Sequence, residues 1–416
     1  MSLLLRNAVL GETPTDLFID RGVFQRIGPD LDISADKTID AAGKAIVPPL
    51  VNGHTHAAMT LLRGYADDME LHTWLTEHIW PLEARLSEED VYVGSLLACL
   101  EMIKSGTLFF NDMYWHFEGT ARAVTEMGLR AALSSVFIDF GDARTAEDKQ
   151  RRCLDLLATY KEADPRLQCA LGPHAVYTVS RKSLEWIRDI AEEHDLLIHM
   201  HVAETRKEVE DCMAEHGKSP VAYLDELGLL SPRLVACHAV WLTPEEMELL
   251  AKRGVNIVHN PVSNMKLCSG TSPVESMRQH GLRIGLGTDG CSSNNALDMF
   301  SEMKSAALAA KVATGSPKAL PADAVWEMAT AQGAAIFNLN HGITEGAWAD
   351  CLLVDLDQPA MVPCYNLTSN LVYAASGGCV DTAICNGEVL MQERHIPGEE
   401  EIIARARACA RRLVAG

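Results

Sequence analysis

Two histidines separated by a single residue, His54 and His56, follow an apolar run at residues 45–51. In an extended strand, side chains two residues apart point in the same direction, so both imidazoles would face one point where a buried strand ends. Imidazole is the side chain that most often binds divalent transition metals. A His-x-His pair alone is more often an ordinary part of a strand, so a metal site requires further ligands elsewhere in the chain.

Later apolar runs also end in polar side chains of suitable chemistry. His174, His201, His238 and Asp289 each follow a short β-type run. A single histidine of this kind is usually a hydrogen-bonded core residue. Their recurrence at the ends of successive runs favours a common site, because the parallel strands of a barrel end at one rim.

The choice of histidine needs an argument in two of these runs. His199 shares a face with His201, and either could be a ligand. We prefer His201, which lies nearer to the end of its strand and precedes Glu204, and we assign His199 to a deeper core layer. His259, in the seventh run, is interpreted as structural.

Three imidazoles and one carboxylate suit one divalent ion, zinc or iron, with a position left for water. Such an ion lowers the pKa of the water to about 7, which gives hydroxide at neutral pH. Glu204 is not needed as a ligand and can transfer a proton, while His238 and Asp289 can hold the hydroxide and accept its proton. The predicted metal ligands are His54, His56, His201 and Asp289.

The segments around these residues divide the chain into three parts. Residues 1–48 contain short strands separated by turns, and residues 49–344 alternate apolar runs with amphipathic helices. Eight such units predict a (β/α)8 TIM barrel of the α/β class. Residues 345–416 return to strands, with a hairpin signal at Asn386-Gly387, and end in an amphipathic helix. We expect the two chain ends to form one small composite β-sandwich domain.

Composition excludes several classes of function. The 416 residues are 48% hydrophobic and 22% charged, as in ordinary globular proteins, and no apolar run is long enough to span a bilayer. The net charge of -21 argues against nucleic acid as a partner. Twelve cysteines without a repeated C-x-x-C spacing indicate neither a disulfide framework nor a thiolate zinc site. We expect a cytoplasmic homo-oligomer without a signal peptide.

Several stretches together resemble the amidohydrolase superfamily. They are Asn52-Gly-His54-Thr-His56, His201-Val-Ala-Glu204-Thr, Cys237-His238-Ala, His259-Asn-Pro-Val-Ser-Asn-Met-Lys-Leu and Gly287-Thr-Asp289-Gly-Cys-Ser-Ser-Asn-Asn. The resemblance extends over essentially the whole chain. Binuclear members resemble one another in a carboxylated lysine at the end of strand four, and Ala170-Leu-Gly-Pro-His174 has no lysine. The chain is therefore more similar to the mononuclear aminohydrolases of adenosine derivatives.

Within that group the chain resembles the 5-methylthioadenosine/S-adenosylhomocysteine deaminases. The resemblance implies hydrolytic deamination at C6 of adenine in a small-molecule nucleoside, with one divalent metal ion per subunit. Trp80-Pro-Leu-Glu83 matches the family pattern, so Glu83 would accept hydrogen bonds from the ribose hydroxyls. His174, Glu204 and Asp289 would also contact the substrate. Without such a role, Glu83 would be a solvated acid at a helix start.

Two departures from the family pattern bear on the substrate. Pro48-Pro49 stands where relatives usually have Pro-Gly, which we expect to alter only a turn. The end of strand three, residues 134–140, lacks the arginine that relatives tend to use for the homocysteine carboxylate, and the next arginine is Arg144. The 5′ substituent therefore stays open among S-adenosylhomocysteine, 5′-methylthioadenosine, adenosine and 5′-deoxyadenosine.

Two other functions stay open from the residues alone. One is a mononuclear deaminase or chlorohydrolase of a guanine, cytosine or triazine ring, which would not need Glu83. The other is a non-catalytic metal-binding barrel. The presence of Glu204, His238 and Asp289 beside the ligands argues against a scaffold, because metal binding alone would not require all three.

Overall fold

Two sheets and the helices around them make up the fold. The computed structural model describes residues 2–69 and 71–415. The strands are β1 (Leu3–Leu10), β2 (Thr13–Asp20), β3 (Val23–Gly28), β4 (Lys37–Asp40), β5 (Lys44–Val47), β6 (Leu50–Thr55), β7 (Thr107–Tyr114), β8 (Arg130–Phe137), β9 (Leu167–Pro173), β10 (Leu197–Val202), β11 (Leu234–His238), β12 (Asn256–His259), β13 (Arg283–Leu286), β14 (Cys351–Asp355), β15 (Val380–Cys385) and β16 (Glu388–Met391).

The α-helices follow most of the barrel strands and cover the outside. They are α1 (Leu71–Thr73), α2 (Trp80–Glu83), α3 (Glu88–Lys104), α4 (Phe117–Met127), α5 (Ala143–Tyr160), α6 (Arg181–His194), α7 (Arg206–His216), α8 (Pro220–Glu226), α9 (Pro244–Arg253), α10 (Pro261–Lys266), α11 (Val274–Gln279), α12 (Met299–Thr314), α13 (Ala322–Ala329), α14 (Ala331–Ile336), α15 (Leu367–Tyr373) and α16 (Glu399–Ala415). A π-helical segment, Trp74–Ile79, joins α1 to α2.

Strands β6 to β13 form the barrel. Each strand lies beside the next in chain order, and the neighbouring pairs are parallel. Most of their residues are buried, because one face of each strand packs inside the barrel and the other against helices. The (β/α)8 barrel predicted from the alternating pattern is confirmed.

The two chain ends pair into a second, mixed sheet. Its order is β16-β15-β14-β5-β1-β2-β3, with β4 beside β1. β14 runs antiparallel to β5 and so joins the two ends of the chain. Asn386 and Gly387, with φ of +53° and +75°, connect the antiparallel strands β15 and β16, as the hairpin signal predicts.

The apolar run at residues 45–51 contributes to two strands. β5 ends at Val47 in the mixed sheet, and β6 begins at Leu50 in the barrel. Pro48 and Pro49 separate the two, since proline has no N–H to continue a ladder of hydrogen bonds. The chain passes from one sheet to the other at these two prolines.

Part of the chain after residue 345 covers the barrel rather than the mixed sheet. α15 packs against α12 and α13, and α16 packs against α3. The buried residues of α16 form a stripe at helical spacing: Ile402, Ala406, Cys409 and Leu413. Among the described residues, no helix is both long enough and apolar enough to cross a membrane.

A buried ion pair connects the barrel to the mixed sheet. Arg130, at the start of β8, donates from Nε to Asp350 Oδ2 at 2.7 Å, and the two side chains are 5% and 10% exposed. The guanidinium carbon of Arg130 also lies 3.9 Å from the centroid of the Trp348 ring. Asp350 Oδ1 accepts the Asn386 N–H at 2.5 Å, so the pair also fixes the hairpin.

Replacing Asp350 by alanine should lower the free energy of unfolding by about 3–5 kcal/mol, because it leaves a buried guanidinium without a counter-charge. Urea denaturation followed by circular dichroism measures the loss. The double variant Arg130→Met/Asp350→Leu, which removes both charges, should recover a large part of it. An equal loss in the single and double variants would contradict this account of the pair.

Candidate active site

Side chains as well as backbone join the first and last barrel strands. Asn52 on β6 donates from Nδ2 to Thr288 Oγ1 at 2.8 Å and accepts the Thr288 N–H through Oδ1 at 3.0 Å. The Asp289 N–H donates to the His54 carbonyl at 3.0 Å. Position 287 must be glycine here, because a Cβ on Gly287 would lie 2.9 Å from the Cβ of His54. This seam, defined as the contact of residues 52–54 with residues 287–289, brings two ligand-bearing strand ends together.

The four predicted metal ligands lie together at the carboxyl ends of their strands. One possible ligand atom from each of His54, His56, His201 and Asp289 lies within 4.8 Å of the other three. Asp289 Oδ1 is 3.2 Å from His54 Nε2 and 3.3 Å from His56 Nε2. His54 is fully buried, yet its Nε2 has no hydrogen-bond partner among the described residues. An orphaned imidazole nitrogen beside a carboxylate and two more imidazoles fits a divalent cation.

The second ring nitrogen of two of these histidines is held by backbone. His56 Nδ1–H donates to the Met113 carbonyl at 2.6 Å, and His201 Nδ1–H donates to the His174 carbonyl at 2.9 Å. Because Nδ1 carries the proton in both rings, Nε2 presents its lone pair to the common point. Outer partners of this kind are typical of metal-binding histidines.

His199 contacts His54 from deeper inside the barrel. Its Nε2 lies 2.7 Å from His54 Nδ1, and it accepts the Nδ1–H of His54 if His54 binds metal through Nε2. His54, His199 and Cys237 form a second close group of possible ligands. Burial raises the pKa of the Cys237 thiol well above its usual range, so the thiol stays protonated and is poorly suited to bind metal. His201, rather than His199, belongs to the group that contains Asp289.

Burial and mutual contact set the charges of this group. Burial lowers the pKa of His54 to about 4, and it also holds the pKa of His201 well below the usual range. Burial would lower the pKa of His56 too, but Asp289 raises it to about 9. Against its own burial, contact with His54 and His56 keeps the pKa of Asp289 well below its usual range. A bound cation would replace the proton that His56 and Asp289 share.

Three hydrogen bonds orient the Asp289 carboxylate. Ser263 Oγ and Ser293 Oγ donate to Oδ2 at 2.6 and 2.8 Å, and the Gly290 N–H donates to Oδ1 at 2.8 Å. Oδ1 is also the oxygen that lies near His54 and His56. One oxygen of the carboxylate is therefore held by hydroxyl groups, while the other faces the predicted ligands.

Glu204 and His238 face each other beside the predicted ligands. Glu204 Oε2 is 3.8 Å from His238 Nε2, and Ser269 Oγ donates to Glu204 Oε1 at 3.4 Å. The Nδ1–H of His238 donates to Asn264 Oδ1 at 2.8 Å, which leaves Nε2 of that ring for the cavity. Burial raises the pKa of Glu204 and so favours the protonated carboxyl, the form that a proton donor needs.

A cavity that opens to solvent lies over these groups. Its apolar walls include Trp74, Trp80, Val136, Ile138 and Leu267. Apolar walls with a few polar groups are typical of small-molecule sites. Seven of the eight predicted site residues line it: His56, Glu83, His174, His201, Glu204, His238 and Asp289.

Glu83, at the end of α2, is 8% exposed, so it is not the solvated acid that was the alternative. Trp115 Nε1–H donates to its Oε2 at 3.0 Å and the Tyr114 hydroxyl also interacts with the carboxyl, whereas Oε1 has no partner of good hydrogen-bond geometry among the described residues. Burial raises the pKa of this carboxyl. An unpartnered buried oxygen on the cavity wall is free to accept a hydroxyl hydrogen bond from a ligand.

His174 follows β9 and lies next to His201, with 4.8 Å between the ring centroids. Its Nδ1 lies 3.0 Å from Thr178 Oγ1. Burial lowers the pKa of His174 to about 3, so the ring is neutral and can exchange a hydrogen bond with a purine nitrogen. His174 is outside the group of four possible metal ligands.

Several supporting residues were not singled out from the sequence. Ser263, Asn264 and Ser293 lie inside stretches that carry the family resemblance, so their positions were visible but their partners were not. Trp115 carried no sequence signal that linked it to Glu83. The structure brings all the predicted site residues to one place, and the role of each stays a prediction.

Comparison with known proteins agrees with this geometry. The amidohydrolase family pattern matches residues 45–390. The chain is 49% identical to a 5′-deoxyadenosine deaminase of Methanoregula boonei, covering 99% of this chain and 95% of that protein. It is 50% identical to 5-methylthioadenosine/S-adenosylhomocysteine deaminase 1 of Archaeoglobus fulgidus, covering 92% and 91%. A solved adenosine deaminase from Xanthomonas campestris with bound zinc has a TM-score of 0.95 at 35% identity, covering 100% and 99%.

The barrel, its His/Asp group and these matches define a hydrolase with a site for a divalent metal ion. The chain belongs to the amidohydrolase family.

Replacing His201 by alanine should reduce the bound metal from one ion per chain to well below half, because one of four ligands is lost. His174→Ala is the matched control, since it removes a neighbouring imidazole that is outside the ligand group. Plasma emission spectrometry on dialysed protein measures the stoichiometry. Full metal content in the His201 variant, or equal loss in both variants, would refute the ligand assignment.

Proposed function

We propose that this protein hydrolyses the C6 amino group of adenine in adenosine derivatives, giving the inosine derivative and ammonia. The observation that carries the proposal is the buried Glu83 carboxylate, whose unpartnered Oε1 belongs to the same cavity as Glu204 and His238. A buried acceptor without a partner costs free energy, and ribose hydroxyls would remove that cost. Similar proteins named as deaminases of adenosine derivatives support the same substrate class.

The metal ligands in this proposal are His54, His56, His201 and Asp289. Zinc is preferred to iron because the similar adenosine deaminase contains zinc. When bound, the ion lowers the pKa of water to about 7 and thereby supplies a nucleophile at neutral pH.

The side chains then move the protons. Asp289 and His238 accept hydrogen bonds from the attacking water, and Asp289 takes one of its protons as the oxygen bonds to C6. Protonated Glu204 donates to ring nitrogen N1, so no negative charge builds up on the purine. The proton on Asp289 passes to the amino nitrogen, which leaves as ammonia. The hydroxyl proton at C6 returns to Glu204, which restores the starting protonation state.

Glu83 and His174 hold the nucleoside during these steps. Glu83 Oε1 accepts hydrogen bonds from the ribose hydroxyls, and the Trp115 indole fixes the other oxygen. The neutral ring of His174 lies beside His201 on the cavity wall, where it can meet a purine nitrogen. Binding energy at the ribose thus orients the ring for attack at C6.

The 5′ substituent in this proposal is small and uncharged, as in 5′-deoxyadenosine or 5′-methylthioadenosine. The end of strand three contributes the apolar side chains of Val136 and Ile138 to the cavity. Arg144, the next arginine in the chain, is exposed in the first turn of α5. A carboxylate on a longer substituent would have to reach an adjoining recess, where Lys149 Nζ lies 4.3 Å from the centroid of the Trp115 ring and Arg152 pairs with Glu118. Cytoplasmic location and homo-oligomeric assembly stay predictions from the sequence.

Purified protein should convert 5′-deoxyadenosine and 5′-methylthioadenosine to their inosine products, with loss of turnover in a chelator and recovery with zinc. Ultraviolet absorbance follows the change from adenine to hypoxanthine. S-adenosylhomocysteine should have a kcat/KM lower by about tenfold or more, which corresponds to about 1.4 kcal/mol of binding free energy in the transition state. Glu204→Gln should retain metal while kcat falls by about 10²–10⁴-fold.

A fully active Glu204→Gln variant would contradict the proton-transfer role. If metal-loaded protein is inactive on all adenosine derivatives but hydrolyses guanine, cytosine or a triazine, the ring-specific alternative replaces this proposal. A metal-loaded protein without any of these activities would favour the non-catalytic barrel.

A second experiment isolates the ribose contact. Glu83→Ala should lower kcat/KM for 5′-deoxyadenosine by about 10²-fold, since hydrogen bonds to a charged group contribute about 1.5–3 kcal/mol. In the parent protein, kcat/KM for 2′,3′-dideoxyadenosine should be lower than that for adenosine, which has the same 5′ group, to a similar degree. In the Glu83 variant the kcat/KM values of these two nucleosides should differ by less than about threefold, because the acceptor for the hydroxyls is gone. Undiminished discrimination in that variant would exclude Glu83 as the ribose partner.

A further inference from the structure

Glu208, on the first turn of α7, accepts hydrogen bonds from two consecutive backbone groups. Its Oε1 accepts the Ala203 N–H at 2.9 Å, and its Oε2 accepts the Glu204 N–H at 2.7 Å. The residue is 5% exposed. A buried carboxylate that binds two adjacent amides fixes the direction of that peptide segment.

This arrangement differs from an ordinary helix cap. Thr205 caps α7 and accepts the Glu208 N–H through Oγ1 at 3.1 Å. In a capping box, the glutamate at the position of Glu208 would accept the N–H of the cap residue itself. Here its carboxylate extends past Thr205 to the two preceding amides.

The segment held in this way is strained. Ala203 has φ of +50°, the left-handed region that costs an L-residue about 1–2 kcal/mol. Its carbonyl accepts the N–H groups of Val240 and Trp241, each at 3.0 Å. The peptide is therefore fixed on one side by the residues that follow β11 and on the other by Glu208. The turn directs Glu204 into the cavity.

We propose that Glu208 is the positioning residue for Glu204, holding the backbone turn that aims the Glu204 carboxyl at the substrate. This inference rests on the proposed function. Glu208 is not part of the cavity wall that carries Glu204; it lines an adjoining recess, which shares Leu75 and Tyr177 with that cavity. It acts on the reaction only through the position of Glu204.

The test is Glu208→Gln, which retains the shape of the side chain but replaces one acceptor oxygen by an NH2 group facing a backbone N–H. We expect kcat to fall by about 10–100-fold, as for outer partners of active-site groups, with KM changed less than about twofold and metal content unchanged. Glu210→Gln is the matched control, since Glu210 is an exposed carboxylate on the same helix that pairs with Arg206. It should retain parental kcat.

A readout that needs no substrate separates this inference from the proposed function. Hydrogen exchange at the amides of Ala203 and Glu204 should become at least about tenfold faster in Glu208→Gln, because one of the two acceptors is lost. If the parent protein deaminates no nucleoside, the proposed function fails, while faster exchange still supports the hold on the turn. Parental kcat or parental exchange in Glu208→Gln overturns the inference.

Two further variants test whether Glu208 acts through Glu204. In the Glu204→Gln background, adding Glu208→Gln should lower kcat by less than about twofold, because the group it positions is already disabled. A full additional loss would overturn the inference. If Glu208→Gln does not fold, Glu208→Asp, which retains the charge but reaches less far, should show an intermediate loss of kcat; parental kcat in that variant would overturn it.

Discussion

The seam between the first and last barrel strands is the constraint on which the rest of the site depends. β6 carries His54 and His56, whereas Asp289 comes from the far end of the barrel sequence, after β13. Only closure of the barrel brings them together, and the paired contacts of Asn52 with Thr288 fix the register of that closure. Because side chains alternate along a strand, a slip of one residue would turn the histidines away from the cavity. The close contact of His54 and His56 with Asp289 therefore depends on closure of the barrel.

The same cavity contains three buried carboxyl groups with different proton affinities. Asp289 is held ionised by its contacts with two imidazoles, and hydroxyl and amide donors add to this. Glu204 and Glu83 have fewer donors, so burial dominates and raises the pKa of each. Different surroundings thus favour opposite protonation states within one site, as the proposed roles of a base and a proton donor require.

Local sequence patterns were sufficient to predict the barrel and the rim of ligands. The period of each strand and the rule that barrel strands end at one rim predict that His54, His56, His201 and Asp289 lie together, and the structure places them there. The division expected after residue 48 lies beside the two prolines that separate β5 from β6.

Partners that are distant in sequence could not be predicted. Ser263 donates to Asp289 and Asn264 accepts from His238, and each pair is 26 residues apart on different strand-end loops. Serine and asparagine are also common loop residues, so neither type indicates a partner. The same holds for the packing of α16 on α3, which depends on a stripe whose partner surface lies about 300 residues earlier.

Left-handed backbone at the strand ends explains why these supporting contacts exist. Ala203, His238 and Asp289 all have positive φ, at +50°, +73° and +60°, where β10, β11 and β13 reach the rim of the barrel. Glycine would adopt this geometry without strain, but the proposed roles of His238 and Asp289 depend on their side chains. The cost of about 1–2 kcal/mol at each position has to be offset by fixed neighbours. Asp289 is held by the seam and His238 by Asn264, whereas Ala203 contributes no functional side chain. Its geometry serves only to direct the next residue, Glu204, which is why a buried carboxylate at Glu208 binds that turn from behind.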